Sequence, residues 1–254
     1  MQRALLVVDR GSREPEVPLE LQEICNRAKA VGNYDFSTFC FLEVRPPYIQ
    51  EAIAKCLRQG CDLLTVVPYF LYPGKKLKDA VKSCATLMHA QGLSMVITKP
   101  LSYHTSLIDL AVQRITESKS THGIGLPDKQ CDVLLIGHGS SDPSAREAFL
   151  FAARRISRHY RKVTPCFLEL DHPNIEQGVR LATESAPQLL IVMPYFLHRG
   201  AHVKSDILKD LDGAMSKYHV KHIITGPLGV DEKVVNLVIE RSSEAEARAN
   251  VFKK

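Results

Sequence analysis

Short apolar runs alternate along the whole chain with longer stretches in which apolar residues recur every three or four positions. In the second half, Val133 to Gly137, Thr164 to Leu168, Leu189 to Pro194 and His222 to Thr225 read as buried strands. The stretch from Ala145 to Tyr160 reads as a helix, because Phe149, Ala152, Ala153 and Ile156 fall on one face. Ser141, Asp142 and Pro143 supply cap chemistry just ahead of it. Strand followed by helix in steady succession implies a parallel sheet covered by helices, so the expected fold class is α/β.

The pattern is written twice. Phe41-Leu42-Glu43, with Pro47 and Ile49, recurs 126 residues later as Phe167-Leu168-Glu169, with Pro173 and Ile175. Pro68 to Leu71, with Gly74 and Lys78, recurs at the same offset as Pro194 to Leu197, with Gly200 and Lys204. Ile97-Thr98 with Pro100-Leu101 returns as Ile224-Thr225 with Pro227-Leu228, and Gly11-Ser12 as Gly139-Ser140. Such internal repetition predicts two tandem similar lobes, each a parallel sheet flanked by helices. The polar, Gly- and Pro-bearing segment ESKSTHGIGLPDK begins at Glu117 and falls at the join. The expected division is a first lobe over 1–117, a linker over 118–129 and a second lobe over 130–254.

Open parallel sheets bind ligands beyond the carboxyl ends of their strands. In the second copy those positions carry His138, Gly139 and Ser140, then Glu169, then His198 and His202. Neutral imidazole and carboxylate are donors suited to borderline divalent metals, so His138, Glu169 and His202 form the candidate metal site. His198 and His172 are weaker candidates, for supporting roles. In the first copy Arg10 stands in place of His138 and Lys76 in place of His202, while Glu43 is kept. Guanidinium and ammonium groups cannot ligate a cation, so one active centre per chain is expected.

Composition narrows the classes. The 254 residues carry 33 Lys and Arg against 28 Asp and Glu, with 45% hydrophobic positions, as in an ordinary globular protein. The positive charge is interleaved with acids, and only the stretch from Lys75 to Lys78 is dense, which argues against a nucleic-acid partner. No apolar run approaches the roughly 18 to 20 residues of a membrane helix, and the first residues lack a signal-peptide pattern. A cytoplasmic protein with no membrane partner is expected. Seven cysteines without a CxxC argue against both a disulfide framework and a thiolate zinc site. A hydrolase using His138 as base toward Ser140 is set aside, because the two are only two positions apart and no nucleophile elbow surrounds them.

The strand ending in His138-Gly139-Ser140, the Phe167-Leu168-Glu169 motif with Pro173 and Ile175, and Pro194 to Leu197 with Gly200, His202, Val203, Asp206 and Ile207 resemble the sirohydrochlorin cobaltochelatases and ferrochelatases. These are the class II tetrapyrrole chelatases, CbiX/SirB-type, here in the long two-domain form. The resemblance implies ATP-independent insertion of a divalent metal into sirohydrochlorin, in a cleft between two similar lobes and with no nucleotide cofactor. It implies Co²⁺ as the expected metal substrate in cobalamin synthesis, with Fe²⁺ or Ni²⁺ as alternatives, and siroheme as the end point if iron is used. It also implies that His138 and His202 bind metal and handle protons while Glu169 takes up or relays pyrrole protons.

Arg10, Arg45 and Lys76, with Ser140 and His198, are the expected substrate-binding residues, since sirohydrochlorin carries eight carboxylates; Arg13 and Lys75 lie on the same strand-end side of the first copy. A downstream pathway enzyme is a conceivable further partner. The alternative of another class is a nonenzymatic metal or tetrapyrrole carrier, which would retain product and not turn over.

Overall fold

The computed structural model describes residues 2–91, 94–198 and 207–251. Two compact units emerge, each built on a parallel sheet. The first sheet contains β1 (Arg3–Asp9), β2 (Phe36–Phe41), β3 (Leu63–Pro68) and β4 (Met95–Ile97), in the order β2-β1-β3-β4. The second contains β5 (Asp132–Gly137), β6 (Lys162–Phe167), β7 (Leu190–Pro194) and β8 (His222–Ile224), in the order β6-β5-β7-β8. The predicted α/β class and the two tandem lobes are what the structure contains.

The central strands explain the continuous apolar runs. Leu134 to Ile136 in β5 and Leu5 to Val8 in β1 are fully buried, because helices cover both faces of each sheet. In the second unit the core on one face joins Leu134, Ile136 and Val192 of the sheet to Val179 and Ala182 of α6 (Ile175–Thr183) and Leu211 of α7 (Ile207–Met215). The matching core of the first unit joins Leu6, Val8 and Val66 to Ile53 of α2 (Ile49–Arg58) and Cys84 of α3 (Lys75–Gln91). Free thiols fill space in these cores, and none of the seven cysteines is disulfide-bonded.

Local chemistry sets the helix starts. Asp142 caps α5 (Pro143–Ile156) by accepting from Ser144 N at 3.0 Å, with Pro143 in the first turn. Asn174 and Gln177 form a reciprocal capping box at the start of α6, at 2.9 and 3.0 Å. The predicted helix to Tyr160 ends earlier, at Ile156. Ser157 Oγ turns back onto the Arg154 carbonyl at 2.9 Å, and Tyr160 folds into the core.

The sequence division at 117 and 130 does not describe the compact units. One unit is Met1–Ser102 together with Val230–Lys254, and the other is Tyr103–Gly229. The last helix of each sequence copy packs on the sheet of the other copy. α8 (Glu232–Val251) lies against β3, β4 and α1 (Glu16–Gly32), and α4 (Thr105–Thr121) lies against α5, β7 and β8. Arg241 of α8 donates to the Pro100 carbonyl at 3.1 Å and to the Ser102 carbonyl at 3.2 Å. Arg114 of α4, 127 positions earlier, donates to the Leu228 carbonyl at 2.9 Å. Glu246 accepts from Arg3, Tyr34 and Thr65 at 2.7, 2.8 and 2.5 Å, fixing α8 to the first sheet.

The segment expected as a linker, 118–129, holds regular structure at both ends. α4 continues to Thr121, a 3₁₀ turn spans Asp128–Gln130, and Lys119 pairs with Asp128 across the join. Among the described residues, no helix is long and apolar enough to cross a membrane.

Candidate active site

The strand order positions the candidate residues. β5 lies between β6 and β7, so the loop carrying His138 is flanked by the loop carrying Glu169 and by the segment leading to His198. All three strands are parallel, and these residues therefore leave the sheet at one edge. The backbone ties the first two loops together: Leu168 N donates to the Gly137 carbonyl at 2.9 Å, and Glu169 N to the His138 carbonyl at 3.0 Å. Gly139 has φ +88°, and a Cβ there would lie 1.7 Å from the Glu169 carbonyl oxygen. Glycine is required at this crossing both for its left-handed backbone and for the close approach.

His138 Nε2 lies 3.3 Å from Glu169 Oε1, with the histidine side chain 21% exposed and the glutamate 49%. The other ring nitrogen, Nδ1, is 3.2 Å from the Gly139 carbonyl, which can only accept. Each ring nitrogen therefore faces an acceptor, a backbone carbonyl at Nδ1 and a carboxylate at Nε2. The imidazole and the carboxylate stand close enough for a proton or a metal ion to be shared between them. Phe196 packs edge-on to the imidazole, with ring centroids 6.4 Å apart.

Arg146 of α5 holds the glutamate loop from the helix side. Its guanidinium pairs with Asp171, donates to the His172 carbonyl at 3.2 Å and sits over the Phe167 ring at 5.4 Å. Sequence reasoning missed this residue, which is one more helix arginine until the fold brings it to the loop. Ser140 Oγ accepts from Asp142 N at 3.0 Å, and Ser12 Oγ makes the corresponding bond to Glu14 N at 3.2 Å. The Gly-Ser dipeptide thus shapes the helix entry in both copies. His198 is half-buried four positions beyond β7. His202, with Gly200, Val203, Lys204 and Asp206, lies outside the described residues. No group of three or more His, Cys, Asp or Glu side chains poised to hold a metal occurs among the described residues.

The first unit builds a different constellation on the same frame. Glu43 receives Arg10 Nε on Oε1 at 3.0 Å and Lys76 Nζ on Oε2 at 2.5 Å. Partial burial works to raise the Glu43 pKa, but the hydrogen bonds and charges of Lys76 and Arg10 outweigh it and hold the carboxyl below its usual value. The two cations were expected to face substrate, and the structure engages both with the protein's own carboxylate. The signal was present in the sequence as a retained glutamate beside two acquired cations. Arg45 has no ion pair among the described residues.

The CbiX family model matches residues 4–118 and again 132–245. A sirohydrochlorin ferrochelatase of Priestia megaterium is 25% identical over 241 residues, covering 92% of this chain and 87% of that one. A sirohydrochlorin cobaltochelatase of the same organism is 24% identical over 254 residues, covering 95% of this chain and 79% of that one. Among solved structures, SirB from Bacillus subtilis with Fe³⁺ superposes with a TM-score of 0.83 at 23% identity, covering 98% of each chain. With the family model matching both copies of the repeat, the chain belongs to the CbiX family.

Proposed function

We propose that this chain inserts a divalent metal ion into sirohydrochlorin without a nucleotide, using His138, Glu169 and His202 of the second copy. The observation that carries the reading is the approach of His138 Nε2 to Glu169 Oε1 at 3.3 Å, a place that calls for a cation. Lys76 supports the assignment of His202. It reaches Glu43 in the first unit, and His202 and Glu169 stand 126 positions beyond those two residues.

Insertion exchanges one divalent ion for two pyrrole protons, so the site needs exchangeable ligands and a base beside them. His138 and His202 would hold the metal through neutral imidazole nitrogens. Glu169, half-exposed beside His138, would accept the two pyrrole protons in turn and pass each to water. Arg146 acts through the loop, keeping Glu169 at this distance. His198 would support the metal-binding histidines.

Substrate carboxylates would be met by Arg10, Arg45 and Lys76. Glu43 already offsets part of the charge of Arg10 and Lys76, which shifts the expected weight toward Arg45. Ser140 keeps its hydroxyl proton for donation while its oxygen accepts from Asp142 N.

Cobalt is the metal we assign, and iron is the second reading, because relatives of similar identity carry both names. The nitrogen and oxygen donors accept either ion. The test mixes purified protein and sirohydrochlorin with Co²⁺, Fe²⁺ or Ni²⁺ and follows the absorption change. Insertion well above the spontaneous rate, fastest with Co²⁺, is expected. Spontaneous rates with all three ions would overturn the assignment.

A further inference from the structure

Leu170, the residue after Glu169, is 70% exposed with φ +59°. Its counterpart Val44, the residue after Glu43, is 47% exposed with φ +78°. A left-handed backbone favours glycine or asparagine, and a bulky aliphatic residue there is strained. Exposure adds a second cost, because the side chain gains little burial in return. Both copies nevertheless place an aliphatic side chain at this position.

The backbone conformation has a local explanation, but the choice of side chain does not. Phe167 N donates to the Pro173 carbonyl at 2.9 Å and Glu169 N to the His138 carbonyl at 3.0 Å, so the loop is closed at both ends. The first unit repeats these bonds, from Phe41 N to Pro47 and from Glu43 N to Arg10, at 2.8 and 3.0 Å. Such a loop would be less strained with glycine at its tip. Tyr103 is also exposed with positive φ, but its ring rests on Phe151 at 5.3 Å. The first copy has lost both histidines, yet it keeps the strained aliphatic residue, so the requirement at this position is separate from metal ligation.

Resting on the chelatase reading above, we propose that Leu170 is a substrate-positioning residue whose side chain lies against the flat, apolar face of the tetrapyrrole. A macrocycle with charged carboxylates at its rim presents an apolar face at its centre, where the metal enters. A side chain one residue from the proton-accepting glutamate is placed to contact that face as the pyrrole nitrogens approach Glu169. Burial on binding recovers the hydrophobic contribution that exposure withholds in the free protein.

The test compares wild-type full-length protein with Leu170→Gly, Leu170→Asn and Leu170→Met, measuring KM for sirohydrochlorin, Co²⁺ affinity in the absence of tetrapyrrole, and Tm. Glycine and asparagine should raise KM about tenfold, the scale of one aliphatic contact, and methionine should keep it near wild type. Co²⁺ affinity should be unchanged, and the KM effect should not shrink as salt is added. Because strain is relieved, the Tm of Leu170→Gly should equal or exceed that of wild type. A wild-type KM in the folded glycine variant would overturn the platform alone, as would a lowered Tm that assigns Leu170 to stability. Wild-type protein that neither binds nor metallates sirohydrochlorin would overturn the chelatase reading, and this inference with it.

Discussion

Lys76 Nζ lies 2.5 Å from Glu43 Oε2, and in the sequence Lys76 stands 126 positions before His202 as Glu43 does before Glu169. Arg10 closes on the other oxygen at 3.0 Å. Glu43 therefore already has its positive partners, and neither partner has a lone pair to offer a metal. The protein should bind one divalent ion per chain at its chelatase site. Titration of metal-free protein with Co²⁺ checks this, and a second site lost in Glu43→Gln would contradict it.

Removing the imidazole should be far more damaging than neutralising the carboxylate. His138→Ala or His202→Ala should lower the insertion rate about 100-fold or more, the low end of what positioned proton-transfer groups contribute. Glu169→Gln should slow insertion while leaving Co²⁺ affinity within a few-fold. Steady-state rates beside equilibrium metal titrations separate the two effects, and wild-type turnover by either histidine variant would exclude the site.

The Glu43 ion pairs set a pH dependence whose sign follows from the lowered carboxyl pKa. A carboxyl that is more acidic in the folded state stabilises the fold above its unfolded value, near 4.3, and loses that contribution as pH falls through the folded value. The side chains are between a third and a half exposed, so the contribution is that of a screened surface network, about 0 to 1 kcal/mol. Wild type should exceed Glu43→Gln in stability at pH 7, and the gap should close below about pH 4. Urea unfolding at several pH values measures it; a gap that widens on acidification would reverse the sign.

Substrate carboxylates should depend on Arg45 more than on the paired cations. Arg45→Ala should raise KM for sirohydrochlorin several-fold at low salt, in line with charge-assisted hydrogen bonds. Arg10→Ala and Lys76→Ala should each have a smaller effect, because their charges are partly offset by Glu43. All three effects should diminish with added salt. Equal KM values for Arg45→Ala and wild type would remove Arg45 from the substrate site.

Arg241→Ala should destabilise the protein by about 2 to 4 kcal/mol, because two carbonyls lose a charged donor in a buried setting. Arg241→Lys should recover only part of this, since an ammonium lacks the planar fork that serves two carbonyls at once. Chemical denaturation reads the difference, and a loss below about 0.5 kcal/mol would show that the Arg241 bonds add nothing to the packing and the Glu246 bonds that hold α8.

The repeat, the parallel strands and the residue types at their ends were legible in the chain alone, because these follow from local periodicity and fixed spacing. The runs that became β5 and β7 are apolar on both faces, and Asp142 caps α5 from two residues away. The positions of His138 and Glu169 were legible for the same reason, since strand order in a parallel sheet brings consecutive strand ends to one edge.

The choice among equivalent partners came from contacts distant in sequence. The faces of the two sheets are so similar that periodicity could not assign α4 and α8; Arg114, Arg241 and Glu246 make that choice through bonds spanning more than 100 positions. Likewise, the residue types at 10, 43 and 76 left open whether the cations would face a ligand or the protein's own carboxylate. The tertiary structure brings both within 3 Å of Glu43, and the carboxylate engages the two together.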